Sequence, residues 1–328
     1  MLHVLVIGAG TMGKVHSQAY AAMENVRLAG IVDIRADQAG RLASQVGTLP
    51  FTSIDEALKT LDRVDVIDVC VPTYLHKQYV LKAADSGKHV ICEKPLARNL
   101  KDAQEMIRYC KDKNVKLFVG HVIRFFPEYI NAKRLLEQNT IGPAAVVRTS
   151  RGGPFPVGWN NWYGDFALSG GLTLDLIIHD FDYLRWCFGE VERVYAKGLQ
   201  GRISAPLDYA LVTLRFKNGV IAHVEGTWAH STFSMKFEMA GKSGIIEYDS
   251  AKEQPLAVFS RAEQTGSRGV AIPESPLKEN PYYLELKHFL SCIEQDKKPV
   301  VTAEDAYEAM RISLAATESM KTGKLVSL

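Results

Sequence analysis

Cysteine is scarce in this chain: Cys70, Cys92, Cys110, Cys187 and Cys292 are the only five in 328 residues. The count is odd and no C-x-x-C spacing occurs, so neither a disulfide framework nor a thiolate metal site is expected. Three of the five sit inside apolar runs as small hydrophobes, which suits reduced thiols in a cytoplasmic protein. Long hydrophobic runs are also missing: none approaches the roughly 18 residues of a membrane-spanning helix, so no membrane partner is expected. The opening MLHVLVIGAG has no Lys or Arg before its apolar stretch and runs into glycines rather than a cleavage site, so no export signal is expected. Charge of one sign is absent too. The net charge is +2 with no block of like residues, which argues against nucleic acid as a partner. Neither an internal repeat nor a low-complexity segment is found. What remains is a globular composition, 47% hydrophobic and 23% charged, long enough for two domains of about 150 residues.

Short apolar runs alternate with helical patterns up to residue 121. The runs are Leu2 to Ile7, Val26 to Val32, Val64 to Val71, His89 to Cys92 and Val115 to Val119. Strands that read as nearly continuous apolar are buried on both faces, as in a parallel sheet covered by crossover helices. The first domain, 1–121, is therefore read as a doubly wound α/β unit. Ser53 with Glu56 and Asn99 with Asp102 supply helix start signals. After Arg124 the pattern changes: helices over Glu128 to Gln138 and Leu172 to Phe188 precede longer alternating strands, Val191 to Leu199, Tyr209 to Phe216, Val220 to Trp228, Met235 to Met239 and Ile245 to Tyr248. Lys217-Asn218-Gly219 joins two of them as a hairpin. Helices over Tyr282 to Glu294 and Ala303 to Met320 close the chain. The second domain, 122–328, is read as α+β around a large, mostly antiparallel sheet.

Gly8-Ala9-Gly10-Thr11-Met12-Gly13 follows the first strand and opens a helix. The first glycine permits the tight turn, the second lets the backbone approach a pyrophosphate, and the third lets helix and strand pack closely. The diphosphate then rests on the helix N-terminus, at Thr11 and Met12. Asp33 ends the second strand twenty residues beyond Gly13, where a carboxylate accepts a ribose 2′-hydroxyl and repels a 2′-phosphate. NAD is the expected cofactor. NADP stays open, because Arg35 could offset that repulsion if Asp33 turned away. The plainer readings are a glycine-rich turn and a strand-end aspartate.

Glu93-Lys94-Pro95 follows a strand, which places Lys94 at the carboxyl edge of the sheet, where ligands of such sheets bind. Beside a nicotinamide it could stabilise alkoxide charge on a substrate oxygen; alone, it reads as a solvated lysine. In Gly170-Gly171-Leu172-Thr173-Leu174-Asp175 and onward, Asp175, His179 and Asp182 stand at i, i+4 and i+7, a polar stripe opposite Ile177, Phe181, Leu184 and Phe188. Histidine, with an ordinary pKa of about 6.5, takes a hydroxyl proton near neutrality, and a carboxylate orients it. The plainer reading is a helix-end aspartate and a satisfied core histidine.

Taken together these motifs resemble the Gfo/Idh/MocA oxidoreductases, the group of glucose-fructose oxidoreductase and inositol 2-dehydrogenase. The resemblance runs over essentially the whole chain, through Gly8 to Gly13, Val71-Pro72-Thr73 leading to His76, Gly87 to Val90 into Glu93-Lys94-Pro95, and the Gly170-Gly171 helix with Asp175 and His179. It implies Lys94, Asp175 and His179 as the catalytic group, and a C-terminal sheet whose open face is buried in a homodimer or homotetramer. Pro72, Thr73 and His76 are expected to line the nicotinamide crevice, with Glu93 and Lys94 also at the cofactor. His16 matches a position often occupied by histidine in the family, with helix packing as its expected job. Arg124 is expected either to meet substrate or to form a domain-joining salt bridge. The aromatic loop from Trp159 to Asp165, which includes Trp162 and follows Gly152, Gly153, Pro154 and Pro156, reads as a substrate lid, since aromatic faces suit sugar C–H surfaces. His121 to Pro127 is more apolar than the matching segment of the inositol enzymes. No metal is expected. The function read is an NAD(P)-dependent dehydrogenase of a sugar, cyclitol or related polyol. A non-catalytic dinucleotide sensor or repressor and an NAD-assisted glycosidase on the same fold are the alternatives.

Overall fold

The computed structural model describes residues 1–199, 208–252, 256–260, 270–271 and 280–328. The chain forms two units, Met1–Phe125 with Glu279–Tyr307, and Phe126–Lys278 with Glu308–Leu328.

The first unit begins β1 (Leu2–Ile7), α1 (Thr11–Ala21), β2 (Val26–Val32), α2 (Ala36–Val46), β3 (Leu49–Phe51) and α3 (Ile54–Thr60). It continues β4 (Val66–Val69), α4 (His76–Asp85), β5 (His89–Glu93), α5 (Leu100–Asp112) and β6 (Leu117–Gly120). The strand order is β3-β2-β1-β4-β5-β6 and every pair is parallel. Strands such as Val66-Ile67-Asp68-Val69 are buried along their whole length, as continuous apolar runs require. The caps form as read: Ser53 Oγ accepts the Glu56 N–H and Asn99 Oδ1 the Asp102 N–H. The three-residue β3, Leu-Pro-Phe with two exposed positions, is an addition to the strands read from sequence.

The second unit contains α6 (Pro127–Glu137), β7 (Ala144–Pro154), α7 (Phe166–Ser169), α8 (Gly171–Asp175) and α9 (Ile178–Phe188). Its further strands are β8 (Val191–Leu199), β9 (Tyr209–Phe216), β10 (Ile221–Thr227), β11 (Ala229–Gly241), β12 (Gly244–Asp249), β13 (Leu256–Ser260) and β14 (Val270–Ala271). After α10 (Pro281–Glu294) and α11 (Ala303–Thr322), β15 (Val326–Ser327) completes a nine-stranded sheet of order β14-β13-β12-β11-β7-β10-β9-β8-β15. Among the described residues of this sheet β7 and β10 pair in parallel and the other neighbours antiparallel. In the β9–β10 hairpin Gly219 takes the positive φ of 96°, while Asn218 Oδ1 accepts the Val220 N–H. Tyr129 of α6 and Tyr183 of α9 meet edge to face with ring centroids 4.7 Å apart over Phe237 and Tyr248, filling the covered side of this sheet.

Two features differ from the linear reading. Strand β7, the centre of the second sheet, lies in a stretch taken as a lead-in to a loop, because Arg148, Ser150, Arg151 and two glycines interrupt its alternation; Gly152, Gly153 and Pro154 belong to it. The chain also returns to the first unit after the second has formed. Leu286, Phe289 and Leu290 of α10 pack with Val4, Tyr20, Ile91 and Phe118, and Phe118 stacks on Phe289 at 5.0 Å. The apolar face of α10 thus finishes a core that a split at residue 121 leaves incomplete. No helix among the described residues is long and apolar enough to cross a membrane.

Candidate active site

The strand order reverses between β1 and β4, so the loops after these strands part at the carboxyl edge of the sheet. Gly8 turns there with φ 103°, and a Cβ on it would stand 2.5 Å from the Cys70 carbonyl oxygen. A Cβ on Gly13 would stand 1.7 Å from the Gly8 carbonyl oxygen, whereas one on Gly10 would meet no protein atom within 4 Å. Gly8 and Gly13 are thus demanded by the protein's own backbone, whereas at Gly10 the protein leaves open space. Helix α1 starts at this point, with Gly10 at its N-cap, no capping side chain and no acid in the first turn, which Thr11 and Met12 open. The amide groups and positive end of the helix dipole fit a diphosphate, and a side chain at Gly10 would fill the approach.

Asp33, just past β2, is tied to this loop: its Oδ2 accepts the Ala9 N–H at 2.8 Å. Arg35 reaches both carboxylate oxygens. Burial raises the Asp33 carboxyl, but the hydrogen bonds from Arg35 and Ala9 outweigh it and hold the group below its ordinary value.

Across the switch point, Pro72 precedes a 3₁₀ turn over Thr73–Leu75, and Thr73 is buried. His76 opens α4 at 1% exposure, with Nε2 2.9 Å from the Val71 carbonyl oxygen and Nδ1 2.9 Å from that of Pro95. The imidazole therefore ties together the loops after β4 and β5. Burial lowers its pKa.

Lys94, half-buried, follows the last residue of β5, and its peptide bond to Pro95 is cis. Its N–H donates to Oε2 of Glu93 at 3.0 Å. Glu93 is turned inward and buried, with Oε1 3.1 Å from Nε2 of His16. Nδ1 of His16 lies 2.8 Å from Oδ2 of Asp68, and the Tyr20 hydroxyl donates to the same oxygen at 2.8 Å. Cys70 Sγ is 3.4 Å from the same imidazole nitrogen. Sequence reading gave His16 a packing role and passed over Tyr20, Asp68 and Cys70. One signal was available: an aspartate in the middle of the buried run Val66-Ile67-Asp68-Val69 needs a partner. His16, Asp68 and Cys70 are also near enough to share a metal ion. Their hydrogen-bond spacing, with Tyr20 on the same carboxylate oxygen, suits a proton-bearing cluster instead.

In the second unit the expected single helix is interrupted. Asp175 ends α8 and His179 lies in the first turn of α9, with Leu176 and Ile177 between the two helices and the Ile177 N–H reaching five residues back to Leu172. A Cβ on Gly226 of β10 would meet Ile177 Cγ2 at 2.4 Å, so Ile177 fills the sheet at the break. Asp175 and His179 are half-buried and Asp182 is buried; His179 and Asp182 keep their i, i+3 spacing within α9, while the break puts Asp175 on a separate helix. Ile177, Phe181, Leu184 and Phe188 are buried as read. Asp180, next to His179, pairs with Arg151.

Trp162 stacks on Tyr163 at 3.9 Å within a short helical loop, Trp159–Gly164, where Asn160 and Asn161 both take positive φ. The Ser169 hydroxyl donates to the Tyr163 carbonyl oxygen, joining this loop to the α7 segment. Arg124 is buried in the first unit. Its Nη1 donates to the Val300 carbonyl oxygen at 2.8 Å and lies 3.3 Å from Asp305, both in the same unit.

Residues 2–121 match the family model described as oxidoreductase family, NAD-binding Rossmann fold. Residues 133–328 match its companion, oxidoreductase family, C-terminal alpha/beta domain. The chain belongs to the Gfo/Idh/MocA oxidoreductase family. Among Gfo/Idh/MocA relatives, the myo-inositol 2-dehydrogenase of Thermotoga maritima is 30% identical over 334 residues, covering 100% of this chain and 98% of that protein. The scyllo-inositol 2-dehydrogenase (NAD(+)) of Bacillus subtilis is 27% identical, covering 98% and 95%. Of the solved structures, a levoglucosan dehydrogenase in complex with NADH and L-sorbose aligns with a TM-score of 0.88 at 25% identity, covering 99% of this chain and 98% of that one. As a Gfo/Idh/MocA member this chain is an NAD-binding oxidoreductase, in which the glycine loop and Asp33 are the residues suited to hold the dinucleotide.

Proposed function

We propose that the protein is an NAD-dependent dehydrogenase that moves a hydride between a secondary alcohol of a sugar, cyclitol or related polyol and the nicotinamide. The observation that carries this reading is Lys94 itself: a half-buried lysine at the carboxyl edge of a dinucleotide-binding sheet, its main chain bonded to the buried Glu93 carboxylate. The inositol and levoglucosan dehydrogenases among its relatives support the substrate class.

Oxidation of the alcohol to a ketone removes a proton from oxygen and a hydride from carbon. NAD, when bound, supplies the hydride acceptor. The Lys94 ammonium donates a hydrogen bond to the substrate oxygen and stabilises negative charge there. His179 accepts the hydroxyl proton, and Asp175 orients hydroxyl and imidazole. Pro72 and Thr73 flank the nicotinamide end, and Trp162 offers an aromatic face to sugar C–H groups. Incubating the protein with NAD and a panel of cyclitols, anhydrosugars and hexoses tests the reading: NADH absorbance appears with at least one of them. Substrate cleavage without net NADH indicates the glycosidase alternative, and NAD binding with no turnover the sensor.

Assembly through the open face of the nine-stranded sheet belongs to the same proposal, on altered grounds. Val224 and Trp228 are buried in the unit's own core, while the outer face carries Ile221, Tyr195 and Leu211 together with Arg148, Arg215 and Lys236. A partner copy suits such a mixture, where aromatic and aliphatic groups alternate with charges. Light scattering at micromolar protein is expected to give a dimer or tetramer, and a monomer contradicts this. All five thiols are free, which supports a reducing, cytoplasmic setting.

A further inference from the structure

We propose that His16 is a positioning residue for Lys94, acting through Glu93, so that the helix built to receive the dinucleotide also sets the lysine. The inference rests on the reading of Lys94 as the group that contacts substrate.

The last ladder pair of β5 is Glu93 with Gly120, so Lys94 lies beyond strand pairing. Its N–H is taken up by Oε2 of Glu93. A buried carboxylate is costly unless it is compensated. Here the second oxygen faces His16 Nε2 at 3.1 Å, and the other imidazole nitrogen faces Asp68 at 2.8 Å, itself fixed by the Tyr20 hydroxyl. A ring with a carboxylate oxygen 3.1 Å or nearer to each nitrogen favours the imidazolium, in which both nitrogens carry hydrogen and the Glu93 contact is an ion pair. The groups around it are Tyr20 on its own helix, Asp68 and Cys70 from the β4 side, Glu93 on β5 and Tyr282 on α10, with the buried Glu285 of α10 next to Tyr20. Burial opposes charge on His16, but Cys70 and Asp68 outweigh it and raise its pKa, while Glu93, which burial raises, is brought low by His16 and Lys94. The contacts therefore run from α1 through an imidazolium and a carboxylate to the main chain of Lys94. Since Gly10 caps the start of α1, the same helix orients both the diphosphate cradle and the lysine.

Two substitutions separate this role from packing. In His16→Asn the amide reaches the place of Nδ1 and keeps the Asp68 contact only; in His16→Gln it reaches the place of Nε2 and keeps the Glu93 contact. With the most active of myo-inositol, scyllo-inositol and levoglucosan as substrate, His16→Asn is expected to lower kcat by about 10- to 100-fold, as displacement of a reacting group by about 1 Å does. Its Kd for NADH should stay within about twofold of wild type, and His16→Gln should recover most of kcat. Glu93→Gln, which preserves shape but not charge, should lose kcat like His16→Asn. A second readout needs no substrate: after ¹³C reductive methylation, the Lys94 resonance, assigned by its absence in Lys94→Arg, should move in His16→Asn and stay in place in His16→Gln. Equal behaviour of the Asn and Gln variants in either measurement overturns the proposal. Lys94→Ala separates the two ideas: if it retains turnover, the reading of Lys94 fails. If it collapses while His16→Asn is normal, only the positioning role fails.

Discussion

Arg151 and Asp180 form a buried ion pair that fastens α9 to the central strand of the second sheet: Nε donates to Oδ2 at 2.6 Å, and both side chains are at most 3% exposed. Nη1 of the same guanidinium also reaches the Met235 sulfur. Removing one partner leaves the other charge buried and alone, which costs about 3–5 kcal/mol. Arg151→Met and Asp180→Leu should each lose stability of that size in chemical denaturation, and the double variant should recover most of it. Additive losses in the double variant contradict the pairing.

Arg35 and Asp33 are expected to set the cofactor preference. The carboxylate is held in place by the Ala9 N–H and by two guanidinium bonds of 2.9 Å, so it stays where it opposes a 2′-phosphate. NAD is expected to bind at least about tenfold tighter than NADP, equivalent to about 1.4 kcal/mol. Because the folded carboxyl titrates below its ordinary value, Asp33 remains charged as pH falls and the preference should persist down to about pH 4. Asp33→Ala releases Arg35 and should narrow the gap. Calorimetry showing equal affinities in the wild type refutes this.

The glycine loop makes a contrast in kind. Gly13→Ala drives a Cβ into the Gly8 carbonyl and should lower both melting temperature and NAD affinity. Gly10→Ala meets no protein atom, so its melting temperature should stay near wild type while NAD affinity falls. A Gly10→Ala protein that binds NAD normally removes the diphosphate from this position.

The parallel sheet was legible because strands buried on both faces read as unbroken apolar runs, and the cofactor loop because its glycines are dictated by local backbone geometry. Strand β7 was not, since Arg148 and Arg151 interrupt its pattern and Arg151 is neutralised by Asp180, a partner 29 residues away. The break at Ile177 was hidden for a similar reason: it depends on the absence of a side chain at Gly226 of a later strand. The motif residues Lys94, Asp175 and His179 stand out locally. The groups behind Lys94 do not, because His16, Asp68 and Glu93 meet only after the sheet has brought α1, β4 and β5 together.

The central claim is that Lys94 and His179 serve chemistry and not the dinucleotide site. The measurement is turnover beside NAD affinity for Lys94→Ala and His179→Ala, with Gly8, Gly10, Gly13 and Asp33 untouched. Both variants should bind NAD nearly as well as wild type, with turnover collapsed, by about 10²- to 10⁴-fold for His179→Ala as loss of a general base predicts. Near-normal turnover in both variants would contradict the account and favour a dinucleotide sensor.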